Sequence, residues 1–437
     1  MPAQLIFIFN TLWEIFKNWW WLAPPFLLYR PFLVLWLWWR QEVFSSQQKY
    51  VFLEIKIPKE VIRPLKAMEQ AFHSIWGNIY DPPDWWEKWI EGKFLLRFSM
   101  EIAAIDGEPH FFMWVPEGRR NAIEASLYSQ YSDVEISTAD DYTKAVPREI
   151  PNKNWNMWGC DYELVKPDVY PIKTYAQFFE ERPEAPVEEK RLDPISTLLE
   201  GMATLKAGEQ LWVQIVAVPI VSVDDPSAGD NYVARGKVIV EKLLKRPPKE
   251  KPKSIFREAL GVLITGKTPG EDEKEQSFFV PEMMLSPGER AVVAGIEDKI
   301  SKYCFTSWIR FIYIAKSDVY FGGAKATPFG FFQQFSTSNL NALKPWSNTL
   351  TKIKKHWFLP INFIRERRLY LRKRQLFKTY ISRLPPRFPH KPTMTFILNT
   401  EELATIFHFP GRAVSKAPFV ERIETKKGEA PPGLPTE

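Results

Sequence analysis

One stretch of the chain matches a phosphate-binding motif letter for letter. GVLITGKT, opening on Gly261 and closing on Lys267 and Thr268, has the spacing G-x-x-x-x-G-K-[ST]. In that motif, backbone amides and a helix N-terminus cradle the phosphates, so a strand must precede the loop and a helix must follow it. Here an amphipathic, helix-like segment (254–260) comes before the match, and Pro269-Gly270 with an acidic loop comes after it. Val262, Leu263 and Ile264 suit a packed element, and the acids would repel a triphosphate. A nucleotide-binding enzyme built on Gly261 to Thr268 is the weakest reading of these residues.

The remaining chemistry-bearing residues are scattered. His73, His110, His356, His390 and His408 have no metal-ligand spacing among themselves or with the two cysteines, Cys160 and Cys304. Asp140-Asp141, Glu188-Glu189 and Asp224-Asp225 are acid pairs in loop-like sequence, where a solvated face is the default. No serine or cysteine sits in a nucleophile elbow. His408, in FHFPG, reads as a packed or hydrogen-bonded structural residue. The expectation is a non-enzyme with no catalytic, cofactor-binding or metal-ligating residue, no cofactor and no small-molecule substrate. Two cysteines also exclude a disulfide framework, so both read as buried thiols in a reducing compartment.

Charge is concentrated in one place. The chain has a formal net charge of +6, yet residues 352–391 hold thirteen Lys and Arg against the single acid Glu366. Within them, residues 357–384 read as a helix with an apolar stripe of Phe363, Tyr370, Phe377, Ile381 and Leu384. Arg365, Arg367, Arg368, Arg372, Lys373, Arg374 and Lys378 surround that stripe. Such a helix can touch anionic lipid headgroups, touch nucleic-acid phosphates, or dock by its stripe and leave its charges solvated. A membrane-tethered nucleic-acid-binding protein is therefore an alternative function.

The other unusual segment is the start. The first forty residues contain seven of the chain's 18 tryptophans: Trp13, Trp19, Trp20, Trp21, Trp36, Trp38 and Trp39. From 5 to 21 the polar residues Asn10, Thr11, Glu14, Lys17 and Asn18 fall on one helical face, the pattern of a helix lying in a membrane interface. Pro24-Pro25 should stop it. A second apolar run, 26–39, is interrupted by Arg30 and Pro31. Joined as 19–39 it is long enough to span a bilayer, with Arg30 near the middle. A monotopic hairpin and a true span both remain open, and these tryptophans are the expected anchor. The run lacks the basic start and small-residue cleavage site of a signal peptide.

The elements between these ends imply an α+β fold. Residues 45–150 read as strand, helix, hairpin, helix, strand, with Asp106-Gly107 at the hairpin turn. That order is a split βαβ unit of the ferredoxin-like type. Residues 151–350 read as a looser second copy with a large insertion at 224–286. In that copy Cys160 and Cys304 would start neighbouring strands. Residues 351–411 hold the basic helix and a short helix capped by Asn399 or Thr400, and 412–437 have a linker composition. The fold expected is thus membrane-anchoring helices (1–44), two ferredoxin-like units, a basic helix and a tail.

Several stretches together resemble a bacterial family of undefined function. They are LEIKIPKEVIRPLKAMEQAF (53–72), LLEGMATLKAGEQLWVQIVAVP (198–219), RKRQLFKTYISR (372–383) and NTEELATIFHFPG (399–411), followed by KGEAPPGLP (427–435). In that family the region accompanies a conjugation-type ATPase of the type IV secretion and DNA-transfer coupling class. The family's ATPase motifs are absent, so the resemblance carries over no catalytic residue. It implies a membrane platform for such an ATPase at the bacterial inner membrane, with the body in the cytoplasm. Membrane lipids, the ATPase or another secretion component, and possible nucleic acid are the implied partners.

Overall fold

A computed structural model describes residues 13–14, 17–18, 23–58, 65–178, 193–221, 231–244, 285–353, 362–386, 395–411 and 422–423. In chain order the elements are α1 (Ala23–Gln47), β1 (Tyr50–Pro58), α2 (Leu65–Ile79), a π-helical turn (Glu87–Glu91), β2 (Phe98–Ile105), β3 (Glu108–Pro116), α3 (Arg120–Tyr128) and β4 (Glu135–Thr138). They continue as β5 (Trp155–Leu164), α4 (Ser196–Ala203), β6 (Glu209–Pro219), α5 (Tyr232–Leu243), α6 (Pro287–Ser301), β7 (Cys304–Lys316), α7 (Ala326–Gln333) and β8 (Leu343–Pro345). The last are α8 (Asn362–Ile381), β9 (Phe396–Asn399), α9 (Thr400–Ile406) and β10 (Arg422–Ile423).

The fold is α+β. Strands β1 to β9 pair antiparallel throughout, and β10 adds a two-residue parallel pairing to β1. The order across the sheet is β4-β1-β3-β2-β6-β7-β5-β8, with β9 beside the start of β7. The two halves therefore mirror one another, β4-β1-β3-β2 facing β6-β7-β5-β8. Their junction is the β2–β6 ladder, which runs from Phe98 opposite Ala217 to Ile105 opposite Gln210.

That ladder joins the two expected α+β units edge to edge, a join the sequence reading did not state. Each half by itself would leave β2 or β6 as an open edge with buried-type residues on both faces. Pairing them removes both edges and satisfies their backbone groups. The result is one continuous sheet with no break near residue 150.

Alternation along the central strands sorts their side chains onto two faces. Met100, Ile102, Val213, Ile215, Ile309 and Phe311 point to one side, into a large apolar core shared with α2, α4, α7 and α9. Ala103, Phe112, Trp212, Ile312 and Ile314 point to the other, where Leu376, Phe377 and Tyr380 of α8 cover them. Both faces being covered explains why β6 is buried at nearly every position.

The N-terminal membrane helices expected from the sequence are corrected. No helix among the described residues is long and apolar enough to cross a membrane. Pro24 and Pro25 lie in the first turn of α1, where missing N–H groups cost nothing. α1 runs through Pro31 to Gln47, and its charges explain the correction. Arg30, Arg40 and Glu42 leave residues 31–39 as the longest uncharged run of α1, far short of the roughly 20 a span requires. Trp19, Trp20, Trp21, the phosphate-loop match, and nearly all of the insertion outside α5 and of the tail outside β10 lie outside the described residues. Sequence also missed β8 and β9, which are too short to show a period.

Candidate functional site

α1 touches the body along a narrow stripe. Leu33, Trp36, Leu37 and Arg40, three and four residues apart, are half-buried, and the helix around them is largely exposed. Trp36 Nε1 donates to the Trp89 carbonyl at 2.9 Å, and Arg40 Nε donates to the Ile90 carbonyl. Gly92 makes this approach possible. It has φ +76°, and a Cβ there would stand 2.3 Å from the Arg40 carbonyl.

What remains uncovered is large and aromatic. Leu27 is 74% exposed, Trp38 61%, and Leu28, Phe32, Val34, Leu35 and Trp39 are exposed with them. Trp85, at 69%, and Trp86, at 58%, stand on the loop that holds α1. Trp13 is exposed as well. Apolar surface on this scale marks a contact site, and tryptophan with flanking arginine suits a bilayer interface, where one end of the ring is wet.

The basic helix divides into two halves. Leu376, Phe377 and Tyr380 are buried against the sheet, whereas Ile364, Tyr370 and Leu371 are exposed. The expected stripe is therefore covered only toward its C-terminal end, and the side chain of Phe363 lies outside the described set. Of the seven basic residues singled out, two are engaged with the body. Arg372 Nη1 donates to the Leu350 carbonyl at 2.8 Å, and Lys373 Nζ donates to Asn156 Oδ1 at 2.7 Å. Burial pulls both groups below their usual pKa. Arg374 bonds the Tyr370 hydroxyl; Arg367, Arg368, Arg374 and Lys378 are exposed, and Arg365 is half-buried.

Beneath the covered half lies a polar centre that the sequence reading missed. Glu101, Gln214, Arg310 and Asp161 stand directly opposite one another on β2, β6, β7 and β5, forming one rung across the junction of the two halves. All four are buried. Glu101 accepts from Ser99 (2.6 Å), Tyr142 (2.7 Å), Gln214 (2.9 Å) and Arg383 Nε (2.8 Å). Since Tyr142 donates to Glu101, Tyr380 must donate to Tyr142, at 2.7 Å. Arg383 also reaches Asp141 at 2.8 Å. Burial alone would lower the Arg383 pKa, but the Glu101 and Asp141 carboxylates outweigh it and raise it.

The other end of the rung is less well satisfied. Arg310 Nε is 2.9 Å from Asp161 Oδ1, but neither atom has an aligned hydrogen bond. Burial drives the Asp161 carboxyl upward, with Arg310 opposing. A cavity of about 50 Å³ touches Asp161, Thr349, Gln375 and Thr379, room for about one or two waters. The only sequence signal for this rung was one charged or amide residue near the middle of each of four largely apolar strands.

The remaining candidates are structural. His408 is buried, with Nε2 2.7 Å from Asp193 and Nδ1 2.9 Å from the Ala404 carbonyl. Asn399 caps α9 through a reciprocal box with Glu402. Cys160 and Cys304 lie on neighbouring strands, but Cys160 sits mid-strand opposite Phe311, while Cys304 opens β7. Among the described residues no group of three or more His, Cys, Asp or Glu could hold a metal ion. The chain matches no protein-family model and no curated protein.

Proposed function

We propose that the chain is a non-catalytic scaffold that rests on a membrane surface through α1 and the Trp85-Trp86 loop, without crossing the bilayer. The observation that carries this reading is the exposed aromatic and aliphatic surface of α1, continued by Trp85 and Trp86. The buried polar rung supports a scaffold, because its charges are committed to holding α8 across both halves of the sheet. The uncovered half of α8, with Arg365, Arg367 and Arg368 beside Ile364, Tyr370 and Leu371, is the surface left for a protein partner. The resemblance noted in the sequence supplies that partner's identity: a conjugation-type ATPase of a type IV secretion-like apparatus at the bacterial inner membrane, with the body cytoplasmic.

Co-sedimentation of the full chain with phosphatidylethanolamine–phosphatidylglycerol vesicles tests the surface. The wild type should pellet with vesicles, and Trp38→Glu/Trp85→Glu/Trp86→Glu should stay in the supernatant with unchanged circular dichroism. A wild type that never pellets, or a triple variant that pellets equally, rejects the reading. Purification from native membranes tests the partner: a scaffold for the apparatus brings down an ATPase that an Arg367→Glu/Arg368→Glu variant does not.

A further inference from the structure

A cavity of about 240 Å³ opens at the root of α1. Its inner wall is apolar: Phe44 from the end of α1, Ile79 from the end of α2, Phe94 and Leu96 from the following loop, and Pro116 from the end of β3. Phe44 and Phe94 meet edge to face at 5.4 Å. Its mouth is ionic. Lys93 and Arg119 line it together with Asp81, whose carboxylate lies 3.4 Å from the Lys93 ammonium and 3.0 Å from the Arg119 guanidinium. Asp81 and Arg119 are the more exposed of the lining side chains, at 49% and 40%, and Ile79 is buried at 2%, so charge sits outside and hydrocarbon inside.

We propose that this cavity binds a single acyl chain carrying an anionic head, with the chain end against Phe44, Phe94 and Leu96 and the head between Lys93 and Arg119. At about 30 Å³ for a water-sized group, the space takes roughly eight such groups, a chain segment and not a whole two-chain lipid. Both polarity and size fit that class: an apolar pocket with a few convergent polar groups at its rim. Asp81 occupies the place the head would take. It is one of two resident carboxylates on these cations, the other being Glu87, 2.8 Å from the Lys93 ammonium, and an incoming anion must displace them. The proposal rests on the membrane-surface reading for the supply of such a ligand, since the cavity lies where α1 and its aromatic loop meet the body. A free fatty acid and a lysophospholipid share the required chemistry.

The test uses the full chain in solution and dansyl-labelled undecanoic acid as the probe, below its micellar concentration. Gly118 lines the mouth, and a Cβ there meets nothing within 4 Å. Gly118→Leu therefore sets a larger apolar side chain at the mouth from an unobstructed Cβ and should weaken the probe about tenfold or more. Asp81→Asn removes the carboxylate shared by both cations, leaving Glu87 on Lys93, and should tighten it about fivefold. Displacement by lysophosphatidylglycerol and by unlabelled undecanoate tells the two sources apart, and dodecyl maltoside, with a neutral head, should displace poorly. Equal probe binding by wild type and Gly118→Leu overturns the site. Equal displacement by maltoside, or an Asp81→Asn variant that binds no tighter, overturns the anionic head. Vesicle co-sedimentation of Gly118→Leu separates this proposal from the one it rests on, because the substitution leaves Trp38, Trp85 and Trp86 in place.

Discussion

Arg383 donates to both carboxylate oxygens of Glu101, at 2.8 and 3.2 Å, across 282 residues of chain. One partner is on β2, in the first half of the sheet, and the other follows α8. The helix reaches them from the far side: Lys373 bonds Asn156 on β5, Gln214 of β6 bonds the Tyr380 carbonyl, and Arg310 of β7 bonds the Leu384 carbonyl at 2.7 Å. α8 is thus a strap laid over the junction and fastened by charge at its end.

Removing one side of the fastening should cost more than removing both. Arg383→Gln leaves Glu101 buried without its cation, and losses of about 3–5 kcal/mol are usual for that change. Glu101→Gln/Arg383→Gln should lose less than Arg383→Gln alone, since the fully buried carboxylate no longer carries a charge and Asp141, which also loses its cation, is partly exposed. Urea denaturation midpoints for the two variants check the order; a double variant weaker than the single one contradicts it.

The same cluster sets an acid limb. Burial would raise the Asp141 carboxyl, but Arg383 and Thr143 outweigh it and hold it below the usual carboxylate range. A depressed carboxylate contributes stability that is complete above the unfolded pKa of about 3.9 and is lost as pH falls through the lower folded value. Stability should therefore drop as pH falls below about 4, and Asp141→Asn should flatten that drop while lowering stability at pH 7. Denaturant midpoints across the pH series give both slopes.

How much of this was legible in sequence follows from what each element depends on locally. Strand β6, the hairpin at Asp106-Gly107, the Asn399 cap and the packed His408 are written in neighbouring residues, so their patterns show without the fold. The join between β2 and β6 is not local. An apolar strand does not state whether its neighbour belongs to its own half of the chain, and the two-unit reading was silent there. The polar rung was hidden for the same reason: Glu101, Gln214, Arg310 and Asp161 lie within largely apolar strands, and only register aligns them. At α1, composition gave the exposed aromatic surface, because tryptophan content is local while the stripe that packs on Trp89 and Ile90 is not.

Gly92 should prove the hinge on which α1 depends. Alanine there pays about 1 kcal/mol for the left-handed backbone and also drives a methyl group into the Arg40 carbonyl. The expected result is local: hydrogen exchange should quicken in 85–93 and along α1, while β6 and β7 keep their protection. Uniform loss of protection across the sheet would show that α1 is part of the global fold instead.

The thiols should be inert in the native state. Cys160 and Cys304 are both fully buried, and burial, with Asp161 adding to it, pushes the Cys160 thiol well above its usual pKa. They cannot be bridged, because seven residues of β7 separate Cys304 from Phe311, the partner of Cys160, about 23 Å along the strand. Ellman's reagent should titrate no thiol in buffer and two in denaturant; a fast native thiol would mean that β5 or the start of β7 opens to solvent.

The placement of α1 and α8 decides whether both can touch one membrane. α1 leads into the start of β1, which pairs with the end of β3. The uncovered half of α8 precedes Lys373, which sits at the start of β5, beside the end of β7. Those points lie at opposite ends of the strands, and the five steps from β1 to β5 add about 24 Å of sheet width. A bilayer that receives α1 is therefore not presented with Arg367 and Arg368. Were those arginines on the lipid, charge reversal would cost about 1 kcal/mol each with anionic vesicles. The expected outcome is that Arg367→Glu/Arg368→Glu changes vesicle co-sedimentation less than twofold, at low salt as well as at physiological salt, while Trp38→Glu/Trp85→Glu/Trp86→Glu abolishes it. A strong, salt-sensitive loss in the arginine variant would instead put both helices on the same surface.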